Sequence, residues 1–255
     1  STRKESSAAS DVYKRQLLVG CSSGTASSVP VSASSAAEST VSSVEETASS
    51  AVDENEAAAA QLLNDLTGSY QELWPVILAD EYKQTWLDDC TALVGEENAE
   101  AAFEKLSSMV TSDVYGEDAV EAYANGGGAY FCGFTNSLAT LTFDGETSTI
   151  SGTDKDGNVL FSHTYHYIGM EPVHGLYEFE SDDADSGEFT YFFLAPDTSA
   201  ETYHIEFRYG SDAEALSQYD AGEYAYWVAS GISTDCDQTM IDNCIELFCT
   251  ENLAG

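Results

Sequence analysis

Val159-Leu160-Phe161-Ser162-His163-Thr164-Tyr165-His166-Tyr167-Ile168 is the stretch that sets the fold class. β-Branched and aromatic residues recur in it with a period of two, where a helix would repeat every three to four positions. It reads as a strand. Just before it, Asp156-Gly157 has the chemistry of a hairpin turn, because glycine tolerates positive φ. The same pattern returns on both sides, in Ala129–Thr135, Leu138–Phe143, Ser148–Gly152, Gly175–Glu180, Glu188–Leu194 and Thr202–Tyr209. Asp144-Gly145 and Asp185-Ser186-Gly187 supply further tight turns. Short strands joined this way predict an antiparallel sandwich or barrel.

Upstream of Gly126 the spacing is helical. Ala57–Leu66, Gln71–Leu78, Gln84–Leu93 and Asn98–Met109 are the helix candidates, with Trp74-Pro75 as a break inside the second. Downstream of the strands, Asp212–Gln218 and Glu223–Ala229 read as short helical pieces. Ser233–Cys249 closes the chain as a helix capped by Ser233 or Asp235, and its stripe of Met240, Ile241, Cys244, Ile245 and Phe248 reads as core.

The 255 residues contain 45 acidic and 8 basic side chains, a formal net charge of −37. Beyond Cys21 the basic residues are Lys83, Lys105, Lys155 and Arg208. Such a surface repels phosphate backbones and anionic headgroups, so nucleic acid is excluded as an electrostatically bound partner, as is a basic membrane-docking patch. It attracts cations. Only Tyr13 among the aromatic residues precedes Tyr70, which puts the foldable part of the chain in the later residues.

Leu18-Val19-Gly20-Cys21 resembles the lipobox of bacterial lipoproteins, in which cleavage before the cysteine is followed by its acylation. The basic-then-apolar leader of a signal peptide is not supplied by residues 1–16, and residues 1–20 read as a truncated or artefactual leader. The expectation is an extracytoplasmic lipoprotein anchored through Cys21. Residues 21–56, rich in Ser, Ala and Glu, bury too little apolar area to offset ordering entropy and read as a spacer. Residues 57–255 are the folded domain.

With Cys21 acylated, Cys90, Cys132, Cys236, Cys244 and Cys249 remain. No C-x-x-C occurs, which argues against a zinc ribbon or a thioredoxin-like centre. Cys236 with Cys249, Cys90 with the C-terminal segment, and buried free thiols all stay open.

There is no G-x-S-x-G, P-loop, G-x-G-x-x-G or H-E-x-x-H, so no enzyme class is indicated. Asp182–Gly187 fails the calcium-loop template, since the twelfth position counted from Asp183 is Leu194 rather than Glu, and reads as a solvated turn. The histidines are His163, His166, His174 and His204. On one strand His163 and His166 face opposite sides, while Thr202, His204 and Glu206 share a face.

An ordered series of segments resembles one family. Its parts are Leu66–Pro75, Phe103–Tyr115, Phe161–Gly169, Gly175–Glu180, Asp183–Tyr191, Thr202–Gly210 and Ala213–Leu216, spread over roughly residues 61–250. The family is the ZinT (YodA) domain, also found at the C-terminus of AdcA-type zinc lipoproteins. The resemblance implies a mainly β fold with α segments: a lipocalin-like (calycin) antiparallel β-barrel with flanking N- and C-terminal helices. It implies a non-enzymatic, exported zinc-binding domain that assists zinc acquisition, with zinc or another divalent cation as ligand and components of a zinc-uptake ABC transporter as partners. The family's three barrel-end imidazoles carry over incompletely. His204 matches the second histidine of its H-x-H, Thr202 stands at the first, and Asp197 falls at the upstream one. The candidate metal ligands are therefore His204 and Asp197, with His166 and His174 completing the set if they face the same barrel end. The alternative is a lipocalin-like small-ligand module with a degenerate metal site, built on Tyr165, Tyr167, Phe192, Phe193 and Tyr203.

Overall fold

The computed structural model describes residues 54–196, 202 and 204–254. The leader and Cys21, with nearly all of the spacer, lie outside the described residues, as do Asp197 and Tyr203. Eight antiparallel strands follow one another around a closed barrel. They are β1 (Gly68–Glu72), β2 (Thr140–Asp144), β3 (Thr149–Thr153), β4 (Val159–Met170), β5 (Tyr177–Ser181), β6 (Tyr191–Leu194), β7 (His204–Gly210) and β8 (Ala229–Ser233). Closure comes from β8 returning to β1, with Tyr70 opposite Ser233 and Glu72 opposite Gly231. The barrel expected from the tight turns and the resemblance is present.

Alternation decides what fills it. One residue row runs through paired positions: Tyr70–Leu141, Phe143–Ile150, Gly152–Phe161, Phe179–Phe192, Phe192–Tyr209 and Phe207–Ala229. These residues form a single buried cluster contributed by all eight strands, so this row faces the lumen. Phe143, Phe179, Phe192, Phe207 and Tyr209 are each at most 1% exposed, and the lumen holds a packed aromatic core. The small-ligand alternative needs part of that space. Tyr165 and Phe192 instead pack edge to face at 5.4 Å inside it, and Phe193 lies on the opposite row, paired with Arg208.

Helix α1, over 54–65, closes one side of the barrel by burying Ala59, Leu62 and Leu63, with Leu66 just beyond it. A second core lies outside the barrel wall. There α2 (Leu73–Ile77), α3 (Lys83–Val94), α4 (Glu96–Ser108) and α7 (Gln238–Leu253) pack around Trp74, Trp86 and Phe248, with Ile232 of β8 beneath them. Two short helices, α5 (Glu117–Ala124) and α6 (Ala213–Leu216), lie in the connections. Asp212 caps α6 by accepting the Glu214 and Ala215 N–H groups.

Several elements differ from the sequence reading. Residues 71–72 belong to β1, and Pro75 sits in the first turn of the short α2, where its missing N–H costs nothing. Ala129–Thr135 forms only isolated bridges, Phe131 to Thr111 and Phe131 to Trp227, because no complete strand edge is left for it in a closed barrel. The Glu223–Ala229 helix is absent: Tyr226 takes positive φ (56°) and Ala229 opens β8. The last helix starts later than expected, with Asp237 as its cap, accepting from the Met240 N–H at 3.0 Å.

Candidate functional site

Strand β7 is buried on both rows. Ile205, Phe207 and Tyr209 enter the lumen core, which leaves His204, Glu206 and Arg208 pointing out of the barrel wall. The outward row would ordinarily meet water. Here it is covered, and His204, Glu206 and Arg208 are 7%, 5% and 0% exposed.

His204 begins the strand. Its Nδ1 is 2.7 Å from the Thr202 Oγ1, so the hydroxyl fixes the ring orientation. The Thr202 carbonyl in turn accepts from the Cys244 thiol at 3.2 Å. Around the imidazole lie Leu73, Trp74, Ile77, Cys244, Phe248 and Glu251, from α2 and α7. His204 therefore faces the helical layer outside the wall rather than the lumen. Burial pushes the Cys244 thiol up to about 12, so it stays protonated at neutral pH.

Further along the row the Arg208 guanidinium donates to the carbonyls of Leu216, Gln218 and Tyr224. It stacks over the Tyr219 ring at 4.1 Å. Burial lowers its pKa, but a guanidinium keeps its charge in any protein setting. His174 also packs on Tyr219, with 3.7 Å between the two ring centroids. The His174 Nδ1 is 3.3 Å from Glu171 Oε2. The fully buried Glu171 carboxylate also accepts the backbone N–H groups of Val173 at 3.0 Å and His174 at 2.6 Å. Burial opposes its charge, yet these donors outweigh burial and hold its pKa below the usual value.

The other two imidazoles sit on β4. His163 occupies the lumen row, opposite Ile150, and its Nδ1 is 2.8 Å from Asp183. His166 lies on the exposed outer face, 2.7 Å from Asp182. The expected opposition of the two rings holds, and the acidic turn that fails as a calcium loop supplies a carboxylate to each of them. β4 and β7 are separated by β5 and β6, so the exposed His166 and the covered His204 occupy different parts of the wall. His174 is committed to Glu171 and Tyr219. Among the described residues no three His, Cys, Asp or Glu side chains converge as a metal-holding group. A zinc site needs three or four such donors, so the described residues do not make one by themselves. Asp197, the fourth candidate, lies outside the described residues.

Cys90, Cys132, Cys236, Cys244 and Cys249 are free thiols. Cys90 and Cys249 face each other with 3.9 Å between their sulfurs, both buried between α3 and α7. Among the described residues no helix is long and apolar enough to cross a membrane.

The residues that sequence reasoning passed over are Glu171, Arg208 and Tyr219. A polar residue at every second position of a strand reads as a solvent face, and nothing local announces that a later segment covers it. One signal was present: Arg208 is the single arginine beyond Arg15 in a chain with 45 acidic residues.

Two of the solved structures similar to this chain come from one protein. One is the Zn(II)-bound ZinT-like domain of Streptococcus pneumoniae AdcA, 15% identical, with a TM-score of 0.46 over 72% of this chain and 89% of that one. The other is Zn(II)-bound AdcA from the same organism, 14% identical, with a TM-score of 0.43 over 73% of this chain and 35% of that chain, so this chain spans about a third of its length. No family model matches the chain. No curated protein matches it either. Neither structural likeness says what this chain binds.

Proposed function

We propose that this chain is a non-catalytic metal-binding module of the ZinT type, which takes a divalent cation, zinc foremost, and assists its acquisition at the cell surface. The observation that carries the reading is His204. It is a buried imidazole at the start of a barrel strand, oriented through Nδ1 by Thr202. A partner on one ring nitrogen is how proteins set the orientation and tautomer of a metal-ligating histidine. The segment that leads into it, 197–203, carries Asp197. His nitrogen and Asp oxygen are both acceptable to zinc. A mixed oxygen and nitrogen set is less selective than three imidazoles. A net charge of −37 raises the local concentration of any cation. In this reading Cys21 is the lipid anchor, residues 22–56 hold the barrel off the membrane, and the recipient of the metal is an uptake transporter.

Calorimetric titration of the full chain with zinc tests the site. The expected result is saturable binding with Kd of about 1 μM or tighter, weakened at least about tenfold in His204→Ala and in Asp197→Asn. No binding to the wild-type chain, or equal affinity in both variants, overturns it.

A further inference from the structure

Where β1 passes into α2, at the rim of the barrel, a cleft of about 330 Å³ opens between the residues that follow α4 and the segment 131–133. That volume falls at the lower end of small-molecule sites. Trp74, Val110 and Phe131 are among its apolar walls, and Glu72 is its acidic group. We propose that this cleft binds a small organic ammonium ion, with the charge against Glu72 and the alkyl groups against Trp74 and Phe131.

The walls are built before any ligand arrives. Glu72 ends β1, on the same row as Tyr70, and its Oε1 accepts the Phe134 N–H at 2.6 Å. Phe131 is held at both ends of its peptide unit: its N–H donates to Tyr226 at 3.0 Å, and its carbonyl accepts from Val228 at 3.1 Å. Its ring stacks on Tyr115 at 5.5 Å. Trp74 is fixed edge to face on Phe248 at 4.7 Å. Gly133 lies between the two key walls. A Cβ there would come within 2.6 Å of the Phe131 ring and 2.8 Å of Glu72 Oε1, so the missing side chain is what lets carboxylate and aromatic ring approach each other.

The chemistry of the cleft selects its ligand class. An anion is repelled by Glu72 and by the whole acidic surface. A neutral apolar ligand would desolvate the carboxylate without pairing it, which is costly. A hard divalent cation needs six or more oxygens, or an octahedral shell, and one carboxylate does not provide them. An ammonium ion carrying alkyl groups answers both parts of the wall, since aromatic faces and a carboxylate are what such cations are recognised by.

The test is titration of the full chain with choline chloride and with tetramethylammonium chloride, against sodium chloride at matched ionic strength, read by tryptophan fluorescence and calorimetry. Saturable binding of the organic cations with Kd of about 1 mM or tighter is expected. Glu72→Gln keeps an oxygen for the Phe134 N–H but removes the charge, and is expected to weaken binding at least about tenfold, or 1.4 kcal/mol. Phe131→Leu provides a second reading, with the same direction of effect, should Glu72→Gln fold poorly. Absence of saturation by either organic cation, competition by sodium at equal concentration, or wild-type affinity in a folded Glu72→Gln or Phe131→Leu overturns the proposal.

Discussion

Replacing Arg208 by Met asks how much of the fold hangs on one buried charge. The guanidinium donates to three carbonyls, those of Leu216, Gln218 and Tyr224, and so pins the crossing between β7 and β8 to the barrel wall. Methionine fills similar space and leaves those acceptors facing an apolar side chain. Each buried acceptor that loses its partner costs about 1–3 kcal/mol. The stack on Tyr219 adds about 2 kcal/mol when desolvated. Against this, removing a fully buried cation relieves a desolvation penalty of several kcal/mol. The lost acceptor partners and the lost stack outweigh that relief and leave a net loss of about 3–5 kcal/mol. For a domain whose whole stability is about 5–15 kcal/mol, that is a large share. Urea unfolding followed by tryptophan fluorescence measures it, since Trp227 lies in the same crossing and touches Tyr224 at 5.9 Å. The midpoint should fall with little change in slope. A loss below about 1 kcal/mol would mean that the carbonyls find water or one another, and that the guanidinium is not what holds the crossing.

Glu171→Gln replaces one of two accepting oxygens with an N–H₂ group, which then meets a backbone N–H of Val173 or His174. The expected cost is about 1–3 kcal/mol at neutral pH. The wild-type carboxyl has a lowered pKa in the fold, so its stabilisation is complete above its unfolded pKa of about 4.3 and fades as pH falls through the lower folded value. Equilibrium unfolding of both proteins from pH 7 downward should show the gap closing only in that acid window, and a gap independent of pH refutes the assignment. Gly145→Ala places a Cβ 2.4 Å from the Asn64 Cα and 2.5 Å from the Leu63 carbonyl, both backbone atoms of α1. The helix must shift from the barrel edge, at about 1–3 kcal/mol or more, as overpacking costs. Gly157, whose Cβ position is open at φ +81°, should lose only about 1–2 kcal/mol as alanine. Thermal melts that rank the two variants the other way would contradict the packing of α1.

The barrel was legible because its strands state their own period. Phe161 to Tyr167 alternates, Asp144-Gly145 and Asp156-Gly157 turn, and an antiparallel meander needs only neighbouring segments to pair. What failed was local pattern overridden from a distance. Gln71 and Glu72 sit in a helical-looking run but pair with Ile232 and Gly231 of β8, because closure requires an eighth strand and this segment supplies it. Ala229–Ser233 escaped notice for a related reason: Ala, Ser and Gly carry almost no β propensity, yet small residues are what Ile205 tolerates opposite it, with a Cβ on Gly231 already 3.1 Å from the Ile205 side chain. The site was less legible than the fold because its parts come from different chain segments. His204 and Thr202 could be placed together by strand parity, two residues apart. Glu171, Arg208 and Tyr219 meet only after the chain has crossed the outside of β7, a tertiary event that no window of sequence records. The four histidines show the same limit from the other side: each reads as a possible ligand in isolation, and the fold sets Asp183, Asp182 and Glu171 beside His163, His166 and His174 and the Thr202 hydroxyl beside His204. Pairing with an acid does not exclude the other three, because a carboxylate on one ring nitrogen is a usual second partner of a metal-bound histidine; what sets His204 apart is that it is buried at the start of β7, just after the segment that carries Asp197.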